Sequence, residues 1–442
     1  MGRPERSLDD ADGPIVAFAR DLRALRKSVG NPSYRELART ALFAPSVLSS
    51  AASGRRLPTL PVTLAFVAAC GGDRSEWERR WRSVAAATAV GSEQARPVAR
   101  AASALARPAQ LPIGSITFVG RAQALADAAR VIAQTDRTNV PLMISGSIGV
   151  GKTAFALRLA DEVASVFPDG QLYADLGVSG SDHSANGIVH GFLRALGVAA
   201  PLVPDDPMQR LGLYRSLLAQ RRVFVLLADA RDEAQVRPLL GRAAQSLVVV
   251  TSRARLLGLD SMHRIELGAF TRDESMALLG QLIGANRVEA EYEAADTLAD
   301  LCGDLPLAVN VIGRVIAARP DWAIAYAAGL LADDERLLDS LTVGDVSVRR
   351  RFDVAYQRLT SAARRAVCHL GAVRSRWTTA IGLAAAMGIS VDTADHTLET
   401  LVDAGLLKRA NLAGRYCVPA MASVFAAGAH RDTRSLELSR AS

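Results

Sequence analysis

Lysine is nearly absent from this chain. Of 52 basic residues in 442, only Lys27, Lys152 and Lys408 are lysine; the rest are arginine. Cysteine is scarce as well, and Cys70, Cys302, Cys368 and Cys417 lie far apart. That spacing excludes a disulfide framework and a zinc pattern of closely set cysteines. Aromatic residues make up 5% of the chain and, with the methionines, read as packing. No apolar run approaches the roughly 18 residues of a membrane span. The opening MGRPERSLDD has no apolar stretch of the kind a secretory signal needs. The six histidines show no metal spacing, and no Ser/His/Asp grouping is visible. The expectation is a soluble, cytoplasmic protein of a reducing compartment, with no membrane partner.

What is present is apolar and unevenly charged. Half the residues are apolar and 22% are charged, enough for substantial cores and too apolar for wholesale disorder. The length predicts about three domains. Residues 1–108 carry 17 basic and 10 acidic side chains, whereas the remainder carries 35 of each. The whole positive excess therefore sits on the first quarter, which predicts a segment that meets a polyanion. A basic solvated surface is the plainer alternative.

Within that quarter, GPIVAFARDLRALRKSVG sets Ile15, Phe18, Leu22 and Leu25 at helical spacing, and Gly30 with Asn31-Pro32 stops the helix. Ser33 and Glu36 form the pattern of a capping box. Leu37, Ala38 and Leu48 fall where two short crossed helices must touch, and SVLSSAAS is the second of them. Helices around TLPVTLAFVAAC and SEWERRWRSVAAA, the latter with Trp77 and Trp81 as core, complete a five-helix bundle. Residues 13–85 resemble the lambda-repressor-like (XRE) helix-turn-helix family. The resemblance implies duplex DNA as partner, with Ser46, Ser49 and Ser50 toward base edges and Arg55 and Arg56 toward phosphates. Two features depart from it. Leu42 stands where the tight turn usually has glycine, and the serine-rich helix lacks the Arg, Asn or Gln of strong bidentate base contacts. The alternative is a bundle that docks protein. Residues 86–112, rich in Ala, Arg and Pro, read as a linker.

After the linker, VPLMISGSIGVGKTAFALRLADEVA runs from an apolar stretch through glycines into an amphipathic helix. Gly146, Gly151, Lys152 and Thr153 complete the P-loop pattern in the strand–loop–helix setting that gives it meaning. The glycines, Gly149 among them, let backbone N–H groups turn toward phosphate oxygens, and the helix start adds its positive end. Lys152 supplies a compact charge, and Thr153 a magnesium ligand. A chain that otherwise writes arginine places one of its three lysines here. The runs GQLYADL, VFVLLAD, SLVVVTS and HRIELG alternate with helical stretches, which predicts a parallel sheet covered on both faces. Ligands in such sheets sit at the carboxyl ends of the strands, where Arg253 follows the third of these runs.

In order, FVGR, the P-loop, FPDGQLYADL, VLLADARDEAQVRPLL, LVVVTSR and CGDLPLAV resemble the NB-ARC class of STAND NTPases, in the variety found in bacterial transcriptional regulators. The resemblance covers about residues 113–430. It implies a multidomain chain: an all-α helix-turn-helix head (13–85), an α/β P-loop NTPase domain (113–268), a helical domain (269–345), a winged-helix domain (346–430) and a tail (431–442). It also implies ATP or ADP as cofactor. Val119 and Arg121 would lie near the adenine, Pro306 against it, Ser147, Val150 and Ala154 along the loop, and Arg253 as the sensor arginine. Homo-oligomers are expected. The signal-detecting repeats of related regulators are not seen, so the expectation is that the sensor is missing or lies on a separate protein.

Two departures bear on mechanism. Pro419 and Ala420 occupy the places of a His-Asp pair that reads the phosphate end. Ala228 occupies the place of the magnesium-side Asp, with Asp229 next to it. Strand side chains alternate faces, so Asp229 is not expected to replace the missing group unless the strand has ended; Asp232 or Glu233 are other candidates. Magnesium is expected but weakened, and hydrolysis slow or absent. The alternatives are a competent ATPase switch, with Asp229 and Arg253 as possible catalytic groups, and a scaffold stabilised by nucleotide.

Overall fold

The computed structural model describes residues 13–41, 43–54, 57–85, 107–114, 117–134, 140–178, 184–241, 245–410, 412 and 414–441, with side chains to 434. The chain divides into two compact units, the first ending at Leu105 and the second starting at Ala106.

The described residues of the first unit form five helices: α1 (Pro14–Ser28), α2 (Tyr34–Ala41), α3 (Pro45–Ala51), α4 (Leu60–Ala69) and α5 (74–85). Phe18, Leu22, Leu37, Leu48, Phe66 and Trp77 form its core, with Phe18 and Trp77 edge to face at 5.6 Å. The capping box at the start of α2 is present: Ser33 N–H donates to Glu36 Oε2 (2.8 Å) and Glu36 N–H to Ser33 Oγ (3.3 Å). Because Leu48 turns inward, Ser46, Ser49 and Ser50 of α3 are left exposed. Trp81 is half-buried and its indole N–H donates to Pro58 O (2.7 Å), so it is tied to the bundle. Leu42, Arg55 and Arg56 lie outside the described residues, as does the 86–106 stretch of the linker.

The second unit is built on five parallel strands: β1 (Leu142–Gly146), β2 (Gln171–Asp175), β3 (Phe224–Ala230), β4 (Leu247–Ser252) and β5 (His263–Leu267), in spatial order β2-β3-β4-β1-β5. The four runs expected from sequence and the strand before the P-loop are these five. Interior strands β3 and β4 are buried on both faces, as their unbroken apolar runs require, whereas edge strand β2 alternates. One face of the sheet (Ile144, Leu226, Val249) packs with α6 (Ala122–Gln134) and α7 (Lys152–Glu162). The other (Met143, Leu227, Val250) packs with α8 (Ala185–Ala195) and α9 (Pro207–Gln220).

The first of these apolar clusters continues without a break from Leu125 to Ala426. It takes in α11 (Arg272–Ile283), α12 (Ala285–Ala290), α13 (Tyr292–Leu301), α14 (Pro306–Ala317), α15 (Ile324–Leu331), α16 (Leu337–Ser340), α17 (Val348–Gln357), α18 (Ser361–Val373), α19 (Ala380–Met387), α20 (Val391–Asp403) and α21 (Ala420–Ala441). Strands β6 (Thr342–Val343) and β7 (Val346–Ser347) pair with each other, and β8 (Trp377–Thr379), β10 (Arg415–Cys417) and β9 (Lys408–Arg409) form an antiparallel sheet in that order beside α20. Helices α18 and α21 touch at Gly371, where an added Cβ would stand 2.1 Å from the Ala426 carbonyl oxygen.

That contact gives opposite expected signs to one kind of substitution. Gly371→Ala forces two helix backbones apart and should cost about 1–3 kcal/mol. Gly191→Ala, in α8 with nothing within 4 Å of the new methyl, should gain roughly 0.5–1 kcal/mol through helix propensity. Urea unfolding of the two variants should move the midpoint in opposite directions.

Candidate functional site

Strand β1 ends in a loop whose curl is set by three glycines at positive φ: Gly146 (152°), Gly149 (79°) and Gly151 (91°). At Gly146 no side chain fits, since a Cβ would meet the Leu267 carbonyl oxygen at 2.4 Å. Gly151 is the N-cap of α7 and makes no side-chain cap bond, so the first-turn N–H groups of α7 are left for another acceptor.

Lys152 is the first residue of α7 and is buried at 9% exposure. Its ammonium donates to the carbonyls of Gly146 and Ser147, both at 2.9 Å. Burial pulls its pKa down to about 8, the nearby Arg253 guanidinium pulls the same way, and Asp229 opposes them. The loop is braced from outside as well. Leu307 N–H at the start of α14 donates to Gly149 O (3.1 Å), and Ile148 N–H donates to Gly405 O (3.4 Å) in the turn between α20 and β9.

A cavity of about 490 Å³ opens beside this loop. Val119, Arg121, Gly149, Val150, Gly151, Lys152, Thr153, Ala154, Arg253 and Pro306 all line it. Gly146 and Ser147 do not line it; their part is the pair of carbonyls under Lys152. Phe118, Val119, Phe270, Pro306 and Leu307 supply an apolar wall suited to a flat ring system. Arg121 is pinned at that wall. Its N–H donates to Glu274 Oε1 (2.8 Å), its guanidinium to Gly268 O (2.6 Å), and it lies over the Phe270 ring at 4.9 Å.

The polar wall corrects the expectation for Asp229. The register of β3 on β4 runs Leu227 to Val250 and then jumps to Ala230 opposite Ser252, so two residues of β3 face one of β4. In this bulge Asp229 adopts φ 51°, and its N–H donates to Thr251 Oγ1 (3.0 Å). The bulge cancels the face alternation, and both Ala228 and Asp229 line the cavity. The Asp229 carboxylate pairs with Arg253 at 3.4 Å. Asp232 and Glu233 are not substitutes: Asp232 caps α10 (Glu233–Val236) by accepting from Gln235 N–H (2.9 Å), and Glu233 accepts from Gly258 N–H (3.1 Å).

Sequence reasoning missed Asp175, Tyr173, Asn310 and Arg351, which also line the cavity. Asp175 sits directly across from Ala228 in the β2–β3 register. As the last residue of a parallel strand it satisfied the strand-end rule that singled out Arg253. Tyr173 lies near both carboxylates; burial, Asp175 and Asp229 all raise its pKa. A magnesium ion takes hard oxygen donors and keeps several waters. The Thr153 hydroxyl and the Asp175 and Asp229 carboxylates are such donors on one cavity, so the residues present fit a metal held by few protein ligands. Pro419 and Ala420 line a separate space of about 30 Å³ behind the loop, with Ser147 and Ile148.

No family model matches the chain. It is similar to the regulatory protein AfsR of Streptomyces coelicolor, 38% identical over 332 residues that span 74% of this chain and 33% of that protein. The regulatory protein AfsR of Streptomyces griseus is 37% identical over 342 residues, 76% of this chain and 35% of that one. The chain thus spans about a third of the length of these curated relatives. Among solved structures, a STAND protein with a tetratricopeptide-repeat sensor from Pyrococcus horikoshii overlays 72% of this chain and 43% of its own at TM-score 0.36 and 16% identity. The Aeropyrum pernix ORC2 protein overlays 74% and 98% at TM-score 0.41 and 14% identity. A Walker-type ATPase of Pyrococcus abyssi overlays 72% and 98% at TM-score 0.47 and 12% identity.

The bulge rests on one side-chain acceptor. Thr251→Val keeps the shape but leaves the Asp229 N–H without its partner, which should cost about 1–2 kcal/mol. Chemical unfolding would show the loss, and an unmoved midpoint would mean the bulge is held by something else.

Proposed function

We propose that this chain is a nucleotide-binding, DNA-binding transcriptional regulator of the STAND type. Its second unit takes ATP or ADP in the 490 Å³ cavity. The observation that carries the reading is Lys152: a buried ammonium resting on two loop carbonyls beneath a helix start whose N–H groups have no side-chain cap. Charges are seldom buried without an anion to meet, and a polyphosphate supplies one. The apolar wall around Val119 and Pro306 would take the base, and Thr153 would help hold magnesium. Similarity to regulatory proteins supports the regulatory role.

In this reading residues 113–268 are an NB-ARC nucleotide-binding domain, 269–345 a helical domain and 346–430 a winged helix. Residues 13–85 are an XRE-type helix-turn-helix that lays α3 in the major groove of duplex DNA, its exposed serines toward the bases and Arg55 and Arg56 toward phosphates. The protein would act in the cytoplasm as a homo-oligomer.

Ala228 cannot hold a metal, so the primary reading is slow or absent hydrolysis. The bulge favours a second: with Asp229 turned into the cavity beside Arg253, a competent ATPase switch has its carboxylate after all. Turnover of ATP by the wild-type chain that vanishes in Asp229→Asn would establish the second reading; a wild-type rate at background establishes the first.

Calorimetry with ADP tests the binding claim itself. Lys152→Ala should lose roughly a hundredfold in affinity, the worth of two charge-assisted contacts. The ammonium is the form that grips phosphate, and its ordinary pKa of 10.5 is lowered to about 8. Affinity should therefore be flat at lower pH and fall as pH rises through about 8, at most roughly tenfold per unit. A flat profile from pH 7 to 9.5 would remove Lys152 from the phosphate site. For the first unit, affinity for duplex DNA should fall linearly in log–log terms as salt rises. A salt-independent affinity would point to the scaffold alternative, in which the bundle docks protein.

A further inference from the structure

Among the described residues that line the main cavity, Arg351 is the only one supplied by the chain beyond Asn310. It comes from the first turn of α17. Val348 and Phe352 are buried in the core, and Arg349 pairs with Asp339. Arg351 itself is exposed and has no hydrogen bond or ion pair among the described residues.

Its surroundings are short of negative charge. The basic residues Arg121, Lys152, Arg253 and Arg351 line the cavity with only Asp175 and Asp229 as acidic ones. Asp229 is engaged by Arg253, and Asp175 accepts from Gly177 N–H (2.8 Å). Arg358, at the far end of α17, and Arg231 both donate to the Gly177 carbonyl, just past Asp175. That places a crowd of cations around two partly occupied carboxylates. Burial, Arg231 and Arg253 together lower the pKa of Arg358. Pro419 and Ala420 open on the other, smaller space, so they bring no polar group here.

Building on the nucleotide reading above, we infer that Arg351 receives the terminal phosphate of a nucleoside diphosphate and so ties α17 to the P-loop. An anion held by Lys152 on α7 and by Arg351 on α17 bridges the sheet and the C-terminal helices. The guanidinium fork suits two oxygens of one phosphate. The state of the site is thereby transmitted to α17, and through Phe352 stacked on Phe425 at 5.5 Å to α21.

The test compares ADP with AMP, by calorimetry on the full chain, in the wild type, Arg351→Ala and Arg351→Lys. The expected result is a loss of about tenfold or more for ADP in Arg351→Ala, a change of under about threefold for AMP, and partial recovery of ADP binding in Arg351→Lys. Hydrogen exchange should show ADP slowing the amides of residues 348–357 in the wild type and not in Arg351→Ala. An ADP-to-AMP preference unchanged by Arg351→Ala would overturn the inference while leaving the nucleotide site standing. A wild-type chain that binds neither nucleotide would overturn both.

Discussion

The second unit is organised around one buried ammonium. At 9% exposure Lys152 has given up most of its water and holds two carbonyl oxygens at 2.9 Å instead. Those carbonyls converge only because the loop before α7 passes through three positive-φ positions, each glycine. A compact ammonium satisfies two acceptors under a curled backbone, whereas a planar guanidinium with five fixed donors would leave several unmatched. This accounts for a lysine in a chain that otherwise uses arginine almost throughout. The remaining structure holds the loop still: α14 accepts the job on one side through Leu307 and Gly149, and the turn after α20 on the other through Gly405 and Ile148. The sheet, the helices that follow it and the small antiparallel sheet all meet at this loop.

Much of this was legible in the sequence because the signals were strong and local. The P-loop spacing, the apolar runs of β1 to β4 and the capping box at Ser33 each depend on a few adjacent residues obeying short-range rules. Cavity residues as distant as Val119 and Pro306 came from the ordered resemblance, since no local rule brings positions nearly two hundred apart together. What escaped was what depends on register. A strand reading assumes that side chains alternate, and at Asp229 the assumption fails because β3 carries one extra residue against β4. Nothing in VFVLLADARDE marks a bulge. Its cause is in another strand, where Thr251 offers a hydroxyl to the displaced N–H. Arg351 escaped for a different reason: in a run of three arginines, only tertiary packing decides which one faces the cavity.

The substitution at Ala228 has a plain physical effect. It puts a group without charge where the resembling family has a carboxylate, and the charge of the cavity wall shifts accordingly toward its basic residues. A carboxylate at 228 would have stood opposite Asp175 in the pairing of β2 with β3. With alanine there, Asp175 and the bulged Asp229 are the acidic residues on the wall, and Asp229 is partly neutralised by Arg253. The cavity wall therefore carries more basic than acidic side chains.

Lysine and arginine respond differently to that excess. Arginine keeps its proton under any condition a cell offers, so repulsion among Arg231, Arg253 and Arg358 can be relieved only by an anion or by separation. Lysine can also yield a proton, and burial first, with Arg253 pulling the same way, draws the Lys152 pKa down to about 8. An incoming polyphosphate acts on these charges together. It favours the charged form of Lys152, offsets the repulsion from Arg253, and gives the guanidiniums of the wall an acceptor. Binding and the fastening of α17 are then one electrostatic event, with the carboxylate replaced at Ala228 setting how much there is to gain from it.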